Sequence, residues 1–285
     1  MTFGRSLLLI VAIVLLAGLA LGGWSYWMAI SEPLVRRAEI RFQDWPQGAR
    51  ELRLVLVTDI HVAGPDMAPD RLERIVEQIN DLRPDIVLVG GDLVSDKRFA
   101  TRHYPASEAL APLAGLRPTI GSYAVLGNHD HWRDSAEIRA ALVQARVRVL
   151  QNDAVQAGPV AIGGLDDAFT GHHDLAHTVA RLRALNGPKI LLSHSPDPFP
   201  DVPGDIVLML AGHTHCGQVR LPFIGPLSTM SRHGDRYACG RVDEGGRTLI
   251  VSAGVGTSIV PLRLAAAPDI WLVELRPARA PSPRR

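Results

Sequence analysis

An apolar strand followed directly by two histidines occupies residues 205–215, which read DIVLMLAGHTH. Two imidazole rings at the end of a buried strand need partners, because a buried polar group without a hydrogen bond is costly. A metal ion supplies a partner to both rings, and imidazole nitrogen is a common ligand of first-row divalent metals. The motif Gly212–His213–Thr214–His215 therefore predicts a metal site at the end of this strand.

Other short apolar strands along the chain also end in turns that carry Asp, Asn or His. The predicted strands, each with the polar residues that follow it, are Leu52–Val57 with Asp59 and His61, Asp85–Val89 with Asp92, Ser122–Leu126 with Asn128, His129 and Asp130, and Lys189–Leu192 with His194. Taken singly, each turn is also typical of an ordinary cap or loop. Ligands of open α/β sheets bind beyond the strand ends, so the series as a whole indicates one shared metal site.

Segments with helical spacing alternate with these strands and set the fold class. The predicted helices are Pro69–Leu82, Ser107–Leu116, Ser135–Ala145 and Leu175–Leu185, and the further predicted strands are Val147–Leu150, Val160–Gly163, Thr248–Val251 and Ile270–Leu275. No internal repeat is visible in the sequence. The alternation of strands and helices predicts an α/β fold.

The composition is that of a globular protein with an apolar excess. The 285 residues include 30 Lys and Arg, 29 Asp and Glu and 47% hydrophobic residues, with a net charge of +1. These values exclude a disordered or collagen-like chain and remove any whole-surface argument for nucleic-acid binding. Two cysteines, Cys216 and Cys239, are too few for a disulfide framework and leave the redox compartment open. We expect Cys216 to pack beside the metal site rather than to bind metal.

The apolar excess is concentrated at the N-terminus, where residues 6–31 carry no charge. Read as a helix, Leu7–Ile30 is about 36 Å long, enough to cross a hydrocarbon core of about 30 Å. The tyrosine and two tryptophans of residues 24–27 would then lie at one membrane interface. The alternative is a cleaved signal peptide, with Arg5 before the apolar run and a small-residue cleavage site at residues 20–22.

The sequence predicts an anchor or signal peptide at residues 1–31, one domain at 32–275 and a disordered Pro/Arg-rich tail at 276–285. The basic residues that flank the apolar helix are Arg5 on one side and Arg36, Arg37 and Arg41 on the other. By the positive-inside rule this distribution favours a cytoplasmic domain, whereas an N-terminal signal anchor often has the opposite orientation.

Five motifs in a fixed order resemble those of the calcineurin-like metallophosphoesterase family. They are Asp59-x-His61, Gly91–Asp92, Gly127–Asn128–His129–Asp130, His194 and Gly212–His213-x-His215, and the resemblance covers roughly Leu52 to Thr257. The apolar N-terminus and the continuation Cys216–Gly217–Gln218–Val219 resemble the membrane-associated bacterial branch, which includes YkuE- and YaeI-type phosphodiesterases and UDP-2,3-diacylglucosamine pyrophosphatases. The resemblance implies a four-layer α/β/β/α sandwich, here preceded by one N-terminal transmembrane helix.

The resemblance also implies two divalent metal ions, Mn, Fe or Zn, at one edge of the sheets. One ion would be bound by Asp59, His61 and His215, the other by Asn128, His194 and His213, and Asp92 would bridge them. Two such ions stabilise the attacking and leaving oxygens of an in-line displacement, in which the family uses a hydroxide that bridges the metals.

His129 has a different implied role, because the corresponding histidine of the family binds no metal. It contacts the phosphate and protonates the leaving oxygen, a contribution of about 10²–10⁴-fold. Family members often carry Gly-Asp-x-x-Asp, in which the second Asp pairs with this histidine. Here Ser95 occupies that place and Asp96 follows it, so Asp96 and Asp130 are both candidates for orienting His129.

The segment Gln218–Tyr237 combines apolar and basic side chains, which suits a substrate with an acyl chain and a phosphate. A packed loop with solvated arginines has the same composition. The prediction is an enzyme anchored in the bacterial inner membrane that hydrolyses a phosphodiester or pyrophosphate of a lipid-linked substrate, without nucleic acid as a partner. The alternatives are a metallophosphoesterase of soluble nucleotides or nucleic acid, and a non-catalytic, membrane-tethered metal-binding module.

Overall fold

Helices and strands alternate along residues 2–278, which the computed structural model describes. The helices are α1 (Thr2–Ile30), α2 (Pro69–Asp81), α3 (Ala106–Ala109), α4 (Asn128–Arg133), α5 (Ser135–Gln144) and α6 (Leu175–Arg183), with 3₁₀ turns at Ala111–Gly115, Phe199–Asp201 and His215–Gly217. The strands are β1 (Leu34–Phe42), β2 (Leu52–Val57), β3 (Ile86–Val89), β4 (Gly121–Ala124), β5 (Val147–Val149), β6 (Asp153–Ala157), β7 (Val160–Leu165), β8 (Lys189–Ser193), β9 (Leu208–Ala211), β10 (Arg220–Leu221), β11 (Gly225–Pro226), β12 (Gly240–Glu244), β13 (Arg247–Val251) and β14 (Asp269–Pro277).

The strands form two six-stranded sheets and one short hairpin. The first sheet has the order β1-β14-β2-β3-β4-β5, the second has the order β12-β13-β9-β8-β7-β6, and β10 pairs with β11. β2, β3, β4 and β5 are mutually parallel, as are β7, β8 and β9. The carboxyl ends of each parallel run therefore share one edge of their sheet, where ligands of such sheets bind.

Alternate residues of the central strands face different cores. In β2, Leu54 and Leu56 lie in the core between the two sheets, whereas Val55 and Val57 lie in the core shared with α2 and α5. In the second sheet, Met209 belongs to a third core, which includes side chains of α6. This follows from the two-residue period of a strand, and each fully buried aliphatic side chain contributes about 1.5–3 kcal/mol. The layers are α/β/β/α, as predicted.

The apolar pattern does not predict three outer strands, β1, β6 and β12. β1 reads LVRRAEIRF and forms the edge of the first sheet, paired with β14 alone among the described strands. Edge strands carry charged side chains, so no apolar run marks them in the sequence. Two of them, β6 and β12, have mixed burial for the same reason and form the edges of the second sheet.

The helix predicted at Ser107–Leu116 is divided in the structure into α3 and a 3₁₀ turn at Ala111–Gly115. Pro112 lies at the start of the 3₁₀ turn. Proline has no N–H to donate and its ring clashes with the carbonyl of the preceding turn, so an α-helix does not continue through this position. The other predicted helices and strands are observed with small shifts at their ends.

The last strand extends further than predicted. Arg276 and Pro277, expected in a disordered tail, pair with Arg41 and Phe42 in the parallel ladder between β14 and β1. That part of the prediction is wrong, because the ladder to β1 orders both residues. Residues 279–285 of the predicted tail lie outside the described residues.

Helix α1 is long and apolar enough to cross a membrane. Within its segment Gly4–Ile30, a stretch of 18 residues has a mean hydropathy of 2.6. Only the last turns of the helix are buried against the rest of the described chain. At those last turns, Ser25 and Ala29 are buried, and the Ser25 carbonyl accepts a hydrogen bond from the backbone N–H of Arg263 at 2.9 Å. The end of the helix is thus joined directly to the domain.

Candidate metal centre

The predicted site residues converge where the turns after the central strands of both sheets meet. The backbone N–H of Asp59 donates to Gly91 O at 3.0 Å, and that of Gly212 donates to His194 O at 2.9 Å. Both oxygens of the Asp59 carboxylate lie 3.0 Å from the N–H of His213, which links the two sheets. All the predicted metal ligands are buried, namely Asp59, His61, Asp92, Asn128, His194, His213 and His215.

The first group of candidate ligands is Asp59, His61 and His215. Their ligand atoms lie within 4.8 Å of one another. The Nε2 atoms of His61 and His215 are 3.1 Å apart, and the Nε2 of His215 is 3.5 Å from Oδ1 of Asp59. Two ring nitrogens and a carboxylate oxygen face the same small space, as a metal-binding site requires.

The second group is Asp92, His194 and His213, with Asn128 beside it. Nε2 of His194 lies 3.1 Å from Nδ1 of His213 and 3.2 Å from Oδ1 of Asn128. Oδ2 of Asp92 lies 3.3 Å from the Nε2 of His194 and 3.4 Å from the Nε2 of His61. One carboxylate oxygen therefore stands between the two groups, where the bridging ligand of a two-metal site would be.

Hydrogen bonds behind the rings select which nitrogens face the site. Nδ1 of His194 lies 2.8 Å from Gly90 O, and Nε2 of His213 lies 3.2 Å from Met230 O. A carbonyl only accepts hydrogen bonds, so we assign the ring protons to these two atoms. The lone pairs of the opposite nitrogens then face the ligand groups, which is the usual arrangement behind a metal-binding histidine.

Burial keeps three of the four candidate histidine ligands in the form that binds metal. His194 is the exception, because the Asp92 carboxylate beside it outweighs the effect of burial and raises its pKa well above the ordinary value. Burial lowers the pKa of His213 to about 4 and lowers the pKa values of His61 and His215 well below the ordinary value. These rings are therefore neutral at pH 7, and a neutral imidazole is the metal-binding form. Burial also raises the pKa of Asp59 to about 6, which leaves it mainly ionised at neutral pH. The donor set fits divalent cations.

The backbone of the site adopts conformations that most residues avoid. Five of the candidate ligands have positive φ angles, between 49° and 69°, namely Asp59, His61, Asp92, His213 and His215. Each costs about 1–2 kcal/mol, and such strain is concentrated at functional sites. Glycines allow the close approach of the turns: a Cβ on Gly127 would lie 2.3 Å from Oδ1 of Asp92, and one on Gly212 would lie 2.2 Å from Oδ2 of Asp59.

Of the two candidates for orienting His129, Asp96 is the one that contacts its ring. Nδ1 of His129 makes a short contact with Oδ1 of Asp96, while Nε2 points away from it and lies 3.5 Å from Oγ of Ser258. Asp130, the other candidate, accepts from the backbone N–H groups of Leu93 and Gly127 at 2.9 and 3.0 Å. The carboxylate of Asp130 thus stabilises the backbone around Gly127 and does not contact the His129 ring, which Asp96 does contact.

Replacement of Asp96 with Asn is expected to lower kcat about tenfold for a substrate with an alkoxide leaving group, because His129 loses the carboxylate that fixes its ring. The measurement is a double-mutant cycle with His129→Ala. A positioning role requires Asp96→Asn to have little effect in the His129→Ala background, and Asp96→Glu to recover part of the activity. Equal losses in both backgrounds would show that Asp96 acts elsewhere.

A cleft of about 490 Å³ opens onto both ligand groups. Its polar side carries Asp92, Asn128, His129, His213 and His215. The apolar side chains of its wall are those of Trp132, Val219, Leu227, Met230, Ile259 and Val260. Val219, Leu227 and Met230 belong to the segment Gln218–Tyr237, whose composition suggested a substrate-binding role. The other three side chains lie outside every sequence motif, so the sequence did not predict their place in the cleft.

A disulfide joins Cys216 to Cys239, with their Cα atoms 4.7 Å apart. Cys216 does lie beside a candidate ligand, as expected, but its sulfur is bonded to Cys239 rather than packed as a free thiol. A hydrogen bond from Oγ1 of Thr214 to Ala238 O, at 2.6 Å, runs beside the disulfide. Together they close the loop that supplies one wall of the cleft.

Replacement of both Cys216 and Cys239 with Ser is expected to lower the free energy of unfolding by about 3 kcal/mol, because the disulfide closes a loop with a sequence separation of 23. Urea denaturation of the two proteins measures the difference, and the wild type treated with dithiothreitol should show the same loss. An unchanged midpoint in the double variant would contradict the disulfide.

The model of the calcineurin-like phosphoesterase family matches residues 52–217, which hold every candidate ligand described above. The chain belongs to this family. The match covers more than half of the chain, so the phosphoesterase domain is a hydrolase domain of a family that uses divalent metals.

Relatives of the phosphoesterase occur in bacteria and animals. A transmembrane protein with a metallophosphoesterase domain from Danio rerio is 30% identical over 94% of this chain and 63% of its own length. A metallophosphoesterase of Helicobacter pylori (strain J99) is 33% identical over 80% of this chain and 60% of its own length. The metallophosphoesterase YkuE of Bacillus subtilis (strain 168) is 29% identical over 90% of both chains. The chain thus spans less than two thirds of the first two relatives.

Proposed function

We propose that the protein is a two-metal phosphoesterase that hydrolyses a phosphodiester or pyrophosphate. The observation that carries this proposal is the position of Asp92, whose Oδ2 stands 3.3–3.4 Å from a histidine of each ligand group. Asp59, His61 and His215 would hold one ion, and Asn128, His194 and His213 would hold the other. Two bound cations lower the pKa of water and stabilise the negative oxygens of a phosphoryl group.

His129 and Asp96 have further roles in the proposed reaction. His129 lies beside the ligand groups, with its ring centroid 4.8 Å from that of His61, and its Nε2 is the atom that would hold the proton for the leaving oxygen. Asp96 holds the opposite nitrogen of the same ring. The complete ligand set together with this acid disfavours the non-catalytic binding module.

We propose that α1 anchors the enzyme in a membrane and that the substrate is lipid-linked. The length and apolar surface of α1 support the first statement. The apolar wall of the cleft supports the second, because side chains such as Leu227, Met230 and Ile259 suit an acyl chain close to a phosphate group. Neither feature is required for hydrolysis of a soluble nucleotide.

We place the phosphoesterase domain on the oxidising side of the membrane, outside the cytoplasm. The disulfide between Cys216 and Cys239 supports this side, since disulfides are rare in reducing compartments. The basic residues after α1 favour the cytoplasmic side, but two of them form ion pairs within the folded protein, Arg36 with Asp269 and Arg41 with Glu39. Labelling of intact cells with a membrane-impermeant maleimide, after mild reduction outside, would modify the exposed Cys239 if the placement is right.

The test of the proposed function is a metal-supplemented substrate screen on the full chain in detergent. The substrates are p-nitrophenyl phosphate, bis-p-nitrophenyl phosphate, cytidine diphosphate diacylglycerol and the matched water-soluble cytidine diphosphate glycerol. We expect hydrolysis of the diester and preference for the lipid pyrophosphate over its soluble counterpart. Equal rates of hydrolysis of the lipid pyrophosphate and its soluble counterpart would contradict the lipid-linked substrate. If the protein binds two metals but hydrolyses none of these esters, the result would favour a metal-binding module.

A further inference from the structure

An uncharged apolar segment lies exposed beside the cleft. Residues 221–230 read LPFIGPLSTM and are bounded by Arg220 and Arg232. We call residues 220–226, which contain β10 and β11, the apolar hairpin. Its turn carries Phe223 and Ile224, with relative exposures of 109% and 70%. Large apolar side chains that are exposed next to one another mark an interaction surface.

The apolar hairpin is hydrogen-bonded to the segment that holds the end of α1. The backbone N–H of Arg220 donates to Leu264 O at 2.9 Å, and the N–H of the preceding Arg263 donates to Ser25 O at 2.9 Å. With consecutive Cα atoms about 3.8 Å apart, Phe223 lies within about 25 Å of Ser25. The hairpin is therefore close to the end of α1 that carries two tryptophans, the residues preferred at a membrane interface.

The same segments line the cleft. Val219 and Leu227 flank the apolar hairpin in the chain and contribute to the cleft wall, together with Ile259. The side chain of Gln218 joins the segment before the hairpin to the segment that contains Ile259. It accepts a hydrogen bond from the N–H of Ser258 at 2.8 Å and donates one to Val260 O at 3.1 Å. A surface that covers the hairpin therefore lies at the mouth of the cleft.

We propose that the apolar hairpin and Ile259 insert into the interface of the membrane that α1 spans, so that the cleft opens onto lipid. The occupant is a bilayer because the hairpin is hydrogen-bonded to the segment that holds the end of the membrane helix, and because its turn carries no charge. This inference rests on the proposed membrane anchor, and it identifies how a lipid substrate would reach the site.

The first test measures contact with lipid and does not depend on activity. The photoreactive amino acid p-benzoylphenylalanine is incorporated at position 223 of the full chain, and the protein is placed in nanodiscs of phosphatidylethanolamine and phosphatidylglycerol. The control carries it at position 143, because Val143 is 67% exposed but lies on α5, away from the hairpin in sequence. We expect at least about tenfold more lipid adducts at 223 than at 143, given the burial of apolar side chains at an interface.

Equal adduct yields at the two positions would overturn the proposal. So would adducts at 223 that join two copies of the chain, because the hairpin would then be a dimer contact. Lipid adducts at 223 without hydrolysis of a lipid substrate would support the docking surface while the proposed substrate class fails.

The second test is kinetic and uses the variant Phe223→Ser with Ile224→Ser, since neither side chain lines the cleft. We expect the variant to hydrolyse cytidine diphosphate diacylglycerol in nanodiscs about tenfold more slowly than the wild type, because the cleft is no longer held against the lipid. Hydrolysis of soluble cytidine diphosphate glycerol should not change. A parallel loss on both substrates would show damage to the fold and contradict a membrane-docking role.

Discussion

Replacement of Asp92 with Ala is expected to abolish both metal binding and activity. Oδ2 of Asp92 is the atom between the two ligand groups, and its Oδ1 accepts the backbone N–H of His129 at 2.9 Å. Its loss would remove the ligand shared by the two proposed cations and the negative charge that would offset their repulsion. We expect kcat on bis-p-nitrophenyl phosphate to fall by more than about 10⁴-fold, because the metals supply most of the acceleration.

The measurement combines elemental analysis of bound metal with turnover. Asp92→Asn keeps the shape of the side chain and separates loss of charge from loss of packing, and circular dichroism confirms that both variants fold. Asp70→Ala is the control, because the Asp70 carboxylate is exposed on α2 and pairs with Arg74. Two metals per chain in a folded Asp92→Ala variant would contradict the bridging role.

Replacement of His129 with Ala is expected to leave the metals in place and to lower kcat by about 10²–10⁴-fold for substrates whose leaving oxygen needs a proton. The reason is that Asp96 holds Nδ1 of His129, so we assign the ring to the substrate, although this ring also lies close enough to His61 and Asp92 to form a third candidate group with them. p-Nitrophenolate departs without a proton, so the loss on a p-nitrophenyl ester should be much smaller than the loss on an alkyl ester.

The comparison of the two leaving groups is the decisive measurement for His129. An acid that protonates the leaving oxygen gives unequal losses, whereas a residue that only holds the phosphate or the metals gives similar losses on both esters. His177→Ala serves as a control, because His177 is exposed on α6. Metal loss from His129→Ala equal to that from Asp92→Ala would refute the division of roles.

The candidate ligands could be predicted from the sequence because each follows a short apolar strand. A strand such as Leu208–Ala211 is visible locally, and the turn after it carries the ligands within a few residues. Parallel strands then bring these turns to one edge whatever the details of the loops. The partner of His129 could not be chosen in this way, since Asp96 belongs to the motif of Asp92 and Asp130 adjoins His129 in the chain. The backbone hydrogen bonds of Asp130 leave Asp96 as the partner.

Features that depend on long-range contacts left no local pattern. The disulfide requires the chain to return from Cys216 to Cys239 over a loop whose path the composition does not define. The strand Leu34–Phe42 is stabilised by its parallel partner at Asp269–Pro277, more than 200 residues away, rather than by an apolar run of its own. The apolar wall of the cleft is assembled from separate loops for the same reason.

The place of β14 in the first sheet bears on how the protein is made. β14 lies between β1 and β2, so the two N-terminal strands cannot join until the ribosome has translated Asp269–Pro277. Until then, β2 presents an unpaired edge of backbone amides and carbonyls, although α1 has already emerged. The first sheet therefore cannot close before β14 is available, and a nascent chain held at its N-terminus would need protection from aggregation while it waits for this strand.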